Sequence, residues 1–218
     1  LIRGSFVPNT ATQDLRALTR TRKQLVREKA QHVQRVQKVL EDANIKLSSV
    51  VSDITGMSAR AILDALAAGE TDPQALASLV KTRIKASRAV IVEAVRGHVR
   101  AQHRFLLKLH LDQIDALDRA IAALDKEVGE QLASFRAAAE NLTTIHGVSD
   151  VVAQVLVAEI GTDMSRFPTA GHLISWAGLC PGNDESAGKR RSSSTRKSAK
   201  WLKSTLVQAA WSAVRTKT

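Results

Sequence analysis

The stretch from Ala11 to Ile45, ATQDLRALTRTRKQLVREKAQHVQRVQKVLEDANI, contains neither glycine nor proline. Leu15, Leu18, Leu25, Val26, Val33, Val36 and Leu40 recur in it at helical spacing, and Arg and Lys fill the other face. A run this long, with one apolar stripe and no breaker, is compatible with little except a single amphipathic helix. The pattern predicts that helix from Thr12 to Asp42. A second long helix is predicted from Ser87 to Glu140, broken near Gly97. Leu107, Ile114, Leu117, Ile121, Leu124, Val128, Leu132 and Phe135 step along it mostly by three and four, as the seam of a coiled coil does, with Asp112, Asp115, Asp118, Asp125 and Glu127 on the outer face. Two such helices can pair as an antiparallel hairpin within one chain or between chains as a dimer. They form either a spacer or dimerisation arm, or the core of an ordinary bundle, and the pattern leaves these open. Shorter helices are predicted near Ser58–Ala68 and Pro73–Lys81, the latter with Pro73 suited to a first turn.

Composition supports a mainly α fold. Of the 218 residues 44% are hydrophobic but only 3% aromatic, with no Tyr, so the apolar content suits helix on helix rather than sheet. A single cysteine, Cys180, excludes an internal disulfide framework and a cysteine zinc site, and fits a reducing cytoplasm. No apolar run reaches the roughly 18 residues of a membrane span, and no signal-peptide pattern is present. The chain begins Leu1-Ile-Arg-Gly-Ser-Phe, without Met, and is expected to be a piece of a longer protein.

Charge placement is the strongest pointer to a partner. The net charge is +11, and the stretch from Ala187 to Thr218 holds nine cations and no acid, so nearly all the excess lies there. Concentrated positive charge is the footprint of a polyanion, most often nucleic acid. Trp201, Leu202, Leu206 and Trp211 in the same stretch mark it as a folding segment rather than a solvated tail.

Two regions are expected: a helical coiled-coil linker or dimerisation region over 1–140, and a small helical domain with the basic tail over 141–218. The second opens with NLTTIHGVSDVVAQVLVAEIG. A tight turn at Gly147 precedes a helix starting at Ser149 or Asp150, which reads as a helix-hairpin-helix-like element. In such an element the turn and Ser149 present backbone N–H groups to a phosphate; a plain packing corner is the alternative. Thr169 is expected to cap a short helix whose Leu173, Ile174 and Trp176 enter the core, with His172 at the surface. No residues stand at metal-ligand spacing nearby, so no metal site is expected in this chain. A last helix is predicted from Ser198 to Val214 with the stripe Leu202, Leu206, Ala209, Ala213.

The stretch GLCPGNDESAGKRR poses the chemical question. Ser186 follows a Pro/Gly/Asn turn and precedes Lys189, Arg190 and Arg191. A serine hydroxyl is a weak nucleophile unless its proton is taken and the developing charge stabilised. Acyl transfer asks for a Gly-x-Ser-x-Gly elbow and a histidine base, and neither is present. An anionic phosphodiester asks instead for guanidinium and ammonium groups, which are present. Arg196, Lys197, Lys200 and Lys203 extend the cationic set for DNA or RNA. Ser192, Ser193, Ser194 and Thr195 read as caps of the last helix. The alternatives are a turn serine in a non-catalytic nucleic-acid-binding module with a coiled-coil arm, and a structural coiled-coil adaptor.

The order HGVSDVVAQVLVAEIGTDMSRFPTAGHLISWAGLCPGNDESAGKRR, followed by KSAKWLKSTLVQAAW, resembles the C-terminal domain of transposases of the insertion sequence 110 family. The upstream helical stretch resembles that family's linker. The resemblance implies a bacterial DNA transposase, cytoplasmic and nucleoid-associated, that cuts and joins DNA. It implies an N-terminal RuvC-like domain with an acidic tetrad holding divalent metal, Mg²⁺, absent from this chain. It also implies a guide (bridge) RNA, a homo-oligomer, and a nucleophilic serine that maps to Ser186 beside Glu185. Two departures stand out. Ala187 separates the serine from Gly188, and His146-Gly147-Val148-Ser149 replaces the family's Pro-Gly-Ile-Gly. The chain alone is expected not to recombine DNA.

Overall fold

A computed structural model describes residues 8–81, 85–182, 184–192, 194–195 and 200–215. They are mainly helical, and they fall into two compact units: Lys23–Ala123, and Leu1–Arg22 together with Leu124–Thr218.

The first long helix, α1, runs Thr10–Asp42 as the breaker-free sequence requires. Its residues from Lys23 onward belong to the Lys23–Ala123 unit, with α2 (Met57–Ala68), α3 (Pro73–Ser78), α4 (Arg88–Ala94) and the first part of α5 (Ala101–Gln131). Val36, Leu40, Ile62, Leu63, Leu66, Leu107, Leu111 and Ile114 are buried in one cluster there, so the stripes of α1 and α5 meet within one chain. Val26, expected on the α1 stripe, is instead 42% exposed. Polar contacts fix the register. Lys29 pairs with Asp118, His32 Nδ1 lies 3.2 Å from His110 Nδ1, and Asp42 meets His103 and Arg100. As the α1 number rises its α5 partner falls, so these stretches run antiparallel. His103 is buried; its Nδ1 accepts from the Arg100 N–H at 3.2 Å, which leaves Nε2–H to donate to Asp42 Oδ2 at 2.8 Å.

The carboxylates of α5 do not form a merely solvated outer face. Asp115 takes a bidentate grip from Arg60 of α2, at 2.5 and 2.7 Å, while Arg60 also bonds Asp64. The Asp115 hydrogen bonds raise the Arg60 pKa, and Arg60 in turn holds Asp115 below the usual carboxylate range. Asp72 caps α3 by accepting from the N–H groups of Gln74 and Ala75.

The helix expected from Ser87 to Glu140 is interrupted twice. Near Gly97 the chain passes so close to the end of α1 that a Cβ there would lie 2.3 Å from the Ala43 carbonyl oxygen; His98 N donates to that same oxygen at 2.8 Å, and Lys46 N to the Ala94 oxygen at 2.7 Å. The second break is a 3₁₀ turn, Leu132–Phe135, which redirects the chain into α6 (Arg136–Thr143). Leu132 and Phe135 pack there on Leu15, Val128 and Ala139.

The other unit continues with α7 (Asp150–Ile160), α8 (Ala170–Trp176), the strands β1 (Asp184–Ser186) and β2 (Lys189–Ser192), and α9 (Lys200–Arg215). Leu15 of α1 joins Val128, Ala139, Ala153, Val157 and Ala158 in one cluster, while Leu156, Ile160, Ala177 and Leu202 form a second. Arg22 pairs with Asp125. Ile174 and Trp176 of α8, expected in the core, are 44% and 40% exposed. Leu173 alone turns inward to that second cluster, and Trp176 packs on Phe167 with ring centroids 5.6 Å apart. Among the described residues no helix is long and apolar enough to cross a membrane.

Candidate active site

The segment holding Ser186 is an antiparallel hairpin, a feature the sequence pattern did not predict. Ser186 pairs with Lys189 and Glu185 with Arg190. The two residues between the strands, Ala187 and Gly188, both have positive φ, 52° and 73°. A two-residue loop of that kind matches the right-handed twist of the strands it joins. Glycine takes such a φ freely, whereas alanine pays roughly 1–2 kcal/mol for it. The residue that separates the serine from its glycine is therefore the first residue of the turn, and Ser186 is the last before it.

The hairpin is closed at its base. Pro181 and Thr195 form an isolated bridge, and Gly182 N donates to Ser194 O at 2.8 Å. Ser192 and Ser194 hydroxyls lie 2.9 Å apart, and Ser194 N donates to Ser192 Oγ. Ser192, Ser194 and Thr195, expected as caps of the last helix, thus serve the hairpin base; Ser193 lies outside the described residues. Lys203 of α9 donates to Thr195 Oγ1, tying the base to that helix.

Ser186, Lys189 and Arg191 are exposed. Side chains directly opposite on antiparallel strands have Cβ atoms about 4.5–5.5 Å apart, so the Lys189 ammonium can reach an anion held at the Ser186 hydroxyl. Lys200 is exposed at the first turn of α9 and Lys203 is half-buried. Arg190 enters through its backbone pairing alone, and Arg196 and Lys197 lie outside the described residues.

The turn before α7 has two roles. Ser149 is the N-cap and its Oγ accepts from Val152 N. Gly147, with φ 85°, sits against α9: a Cβ there would lie 2.3 Å from Ala209 O and 2.7 Å from Ala213 N. The Val148 N–H is taken by the Ile145 carbonyl at 3.0 Å. Close approach to α9 thus accounts for the glycine without a ligand. Thr169 stands at the N-cap of α8, but its hydroxyl meets His172 Nδ1 at 2.8 Å instead of a backbone N–H.

A buried carboxylate supports α9 from beneath. Glu159, 2% exposed near the end of α7, takes two bonds from Arg20, at 2.7 and 2.8 Å. Arg16 donates to the carbonyls of Ala158 and Glu159, each at 3.0 Å, and Arg166 to that of Ile160 at 2.9 Å. Cations on the last carbonyls of α7 complement its dipole. Burial lowers the Arg16 pKa, against the pull of Glu159. Arg20 also lies over Trp201 of α9, 5.7 Å from the ring centre. Sequence reasoning missed this cluster; the one signal was an acid inside the apolar run Val151–Ile160. Among the described residues no three His, Cys, Asp or Glu side chains gather as a metal site.

No curated protein and no solved structure matches the chain. The family model of the transposase IS116/IS110/IS902 family matches residues 139–218, which span α7, α8, the serine hairpin and α9. Over that segment the chain is similar to the transposases of this family.

Proposed function

We propose that this chain is the linker and serine-bearing part of a DNA transposase, in which Ser186 attacks a DNA phosphodiester. The observation that carries the reading is Ser186 exposed at the tip of a hairpin, opposite Lys189, inside the segment that matches the transposase family. In the step, Ser186 Oγ bonds to phosphorus while the bond from phosphorus to one sugar oxygen breaks. The serine proton leaves to a base, and the departing sugar oxygen gains one. The strand end remains linked to the protein as a phosphoserine ester, which a second DNA hydroxyl resolves. Lys189, Arg190 and Arg191 offset the charge on the phosphoryl oxygens. Arg196, Lys197, Lys200 and Lys203 bind DNA or a guide RNA through phosphates. Ser149 sets the start of α7 against the backbone of the same duplex, while Gly147 holds that turn on α9.

The divalent metal implied by the resemblance finds no fitting donor set among the described residues, so no step here runs through it. Exchange between two duplexes needs more than one serine, so the reading includes a homo-oligomer.

The test is a trapping assay on the enzyme that joins this chain to the acidic N-terminal domain, with guide RNA, Mg²⁺ and donor DNA, comparing wild type with Ser186→Ala after denaturation. A covalent protein–DNA adduct confined to wild type is the expected result. Equal adducts in both would move the chemistry to another residue, and parallel loss of DNA binding and activity in the variant would make Ser186 structural.

A further inference from the structure

One side of α9 faces the protein, where Leu202, Thr205 and Ala209 are buried. Lys200, Val207, Trp211, Val214 and Arg215 fall on the opposite side, at spacings that a helix of about 3.6 residues per turn brings together. Trp211 is 62% exposed, Val207 39% and Val214 80%. The Arg215 guanidinium lies over the Trp211 ring, 6.0 Å from its centre. A chain with so few aromatics has placed one of its three tryptophans in solvent, beside a cation.

Charge decides between two occupants. A second copy of this face would set Lys200 and Arg215 against their own kind, and the stretch from Ala187 to Thr218 contains no acid to offset them. A polyanion meets no such repulsion. Duplex DNA hides the faces of its bases, whereas an unpaired nucleotide offers a ring face to stack and a phosphate for each cation. Strand cutting creates unpaired nucleotides, and α9 is tied to the serine hairpin through Lys203 and Thr195. We propose that Trp211 is a stacking platform for an unpaired base of the DNA strand being cut, with Arg215 on the adjacent phosphate and Lys200, about 16 Å away along the helix, on a phosphate farther along the strand. This rests on the function proposed above.

The test measures binding of the full chain to a short oligothymidylate, the matching oligouridylate and a DNA duplex, at several salt concentrations. Stacking on an aromatic is worth about 1–3 kcal/mol per base, so Trp211→Ala should weaken oligothymidylate binding about 5- to 150-fold. Duplex affinity and the slope of log K against log salt should hold, because no charge is removed. Trp211→Phe should recover most of the loss. Lys200→Gln with Arg215→Gln should instead flatten the slope. The exposed position predicts an unchanged melting temperature for Trp211→Ala. Unchanged oligothymidylate affinity would overturn the proposal. So would a loss confined to oligouridylate, or weakened self-association at constant DNA affinity, which would assign the face to RNA or to a second copy. Ser186 takes no part in this readout, so a failed adduct assay and a failed stacking assay are separate outcomes.

Discussion

Replacing Gly147 by alanine tests whether this turn is held by packing on α9. A methyl group there would stand 2.3 Å from Ala209 O and 2.7 Å from Ala213 N, both backbone atoms that no rotamer change can move aside. The residue must also hold φ 85°. The left-handed backbone costs alanine about 1–2 kcal/mol, and forcing an extra carbon into a packed contact about 1–3 kcal/mol more. Gly188→Ala is the matched control, because φ is 73° there but nothing lies within 4 Å of the added carbon. Gly147→Ala should therefore lose about 2–5 kcal/mol and Gly188→Ala only about 1–2 kcal/mol. With a urea m-value of about 2 kcal/mol/M, the two midpoints should differ by roughly 0.5–1.5 M. Tryptophan fluorescence reads the right part of the molecule, since Trp176, Trp201 and Trp211 all belong to the unit that contains α9. A Gly147→Ala midpoint at or above that of Gly188→Ala would refute the packing argument and return the glycine to ligand contact.

Two further predictions concern a buried carboxylate and a half-buried histidine. Glu159→Ala removes the carboxylate that Arg20 grips, while Arg16 keeps its two carbonyls; since Arg20 also keeps 38% exposure, the cost should be about 2–3 kcal/mol, below the range for fully buried pairs, and Arg20→Ala should cost less because Arg16 still faces the carboxylate. The same urea transitions measure both, and equal stability of Glu159→Ala and wild type would contradict the role given to the cluster. The second is a pH dependence. Burial, then His32 and Arg35, holds His110 below its ordinary 6.5. The unfolded chain therefore takes up a proton that the folded chain refuses, so stability should fall as pH drops through about 6.5 and level off below the folded value. Circular dichroism of urea unfolding from neutral to mildly acid pH should show this, and His110→Asn should flatten the curve; an unchanged slope in that variant would rule the pair out as its source.

The sequence was most informative where structure is local. The breaker-free run from Ala11 to Ile45 and the cap at Ser149 carry their own instructions: α1 follows the predicted Thr12–Asp42 within two residues at either end, and α7 opens at Asp150. Long-range contacts were not readable. Glu159 finds Arg20 at a separation of 139 residues, and nothing in the run around it names that partner. The break near Gly97 was expected, but the Ala43 contact that requires the glycine there is distant in sequence. The hairpin was hidden for a different reason. Asp184, Glu185 and Ser186 have low strand propensity, and the pairing follows from Ala187 and Gly188 at positive φ and from closure between Pro181 and Thr195. Apolar content misled at α8, where Ile174 and Trp176 look like core and stand in solvent. The clustered cations were plain to see, while the exposed Trp211 among them needed α9 to be built first.

The unit that holds the hairpin is discontinuous in sequence, and this fixes an order of events on the ribosome. Lys23–Ala123 is contiguous and can fold as soon as it emerges, whereas Leu15, Arg16 and Arg20 must wait for partners made much later. Arg16 reaches the Glu159 carbonyl across 143 residues, and at roughly 5–20 residues per second that interval is about 7–30 s. During it, the first turns of α1 are an amphipathic stretch without their core. The serine hairpin and its supporting helix therefore assemble after the Lys23–Ala123 unit, and a chain cut short before α7 leaves the first turns of α1 without their partners.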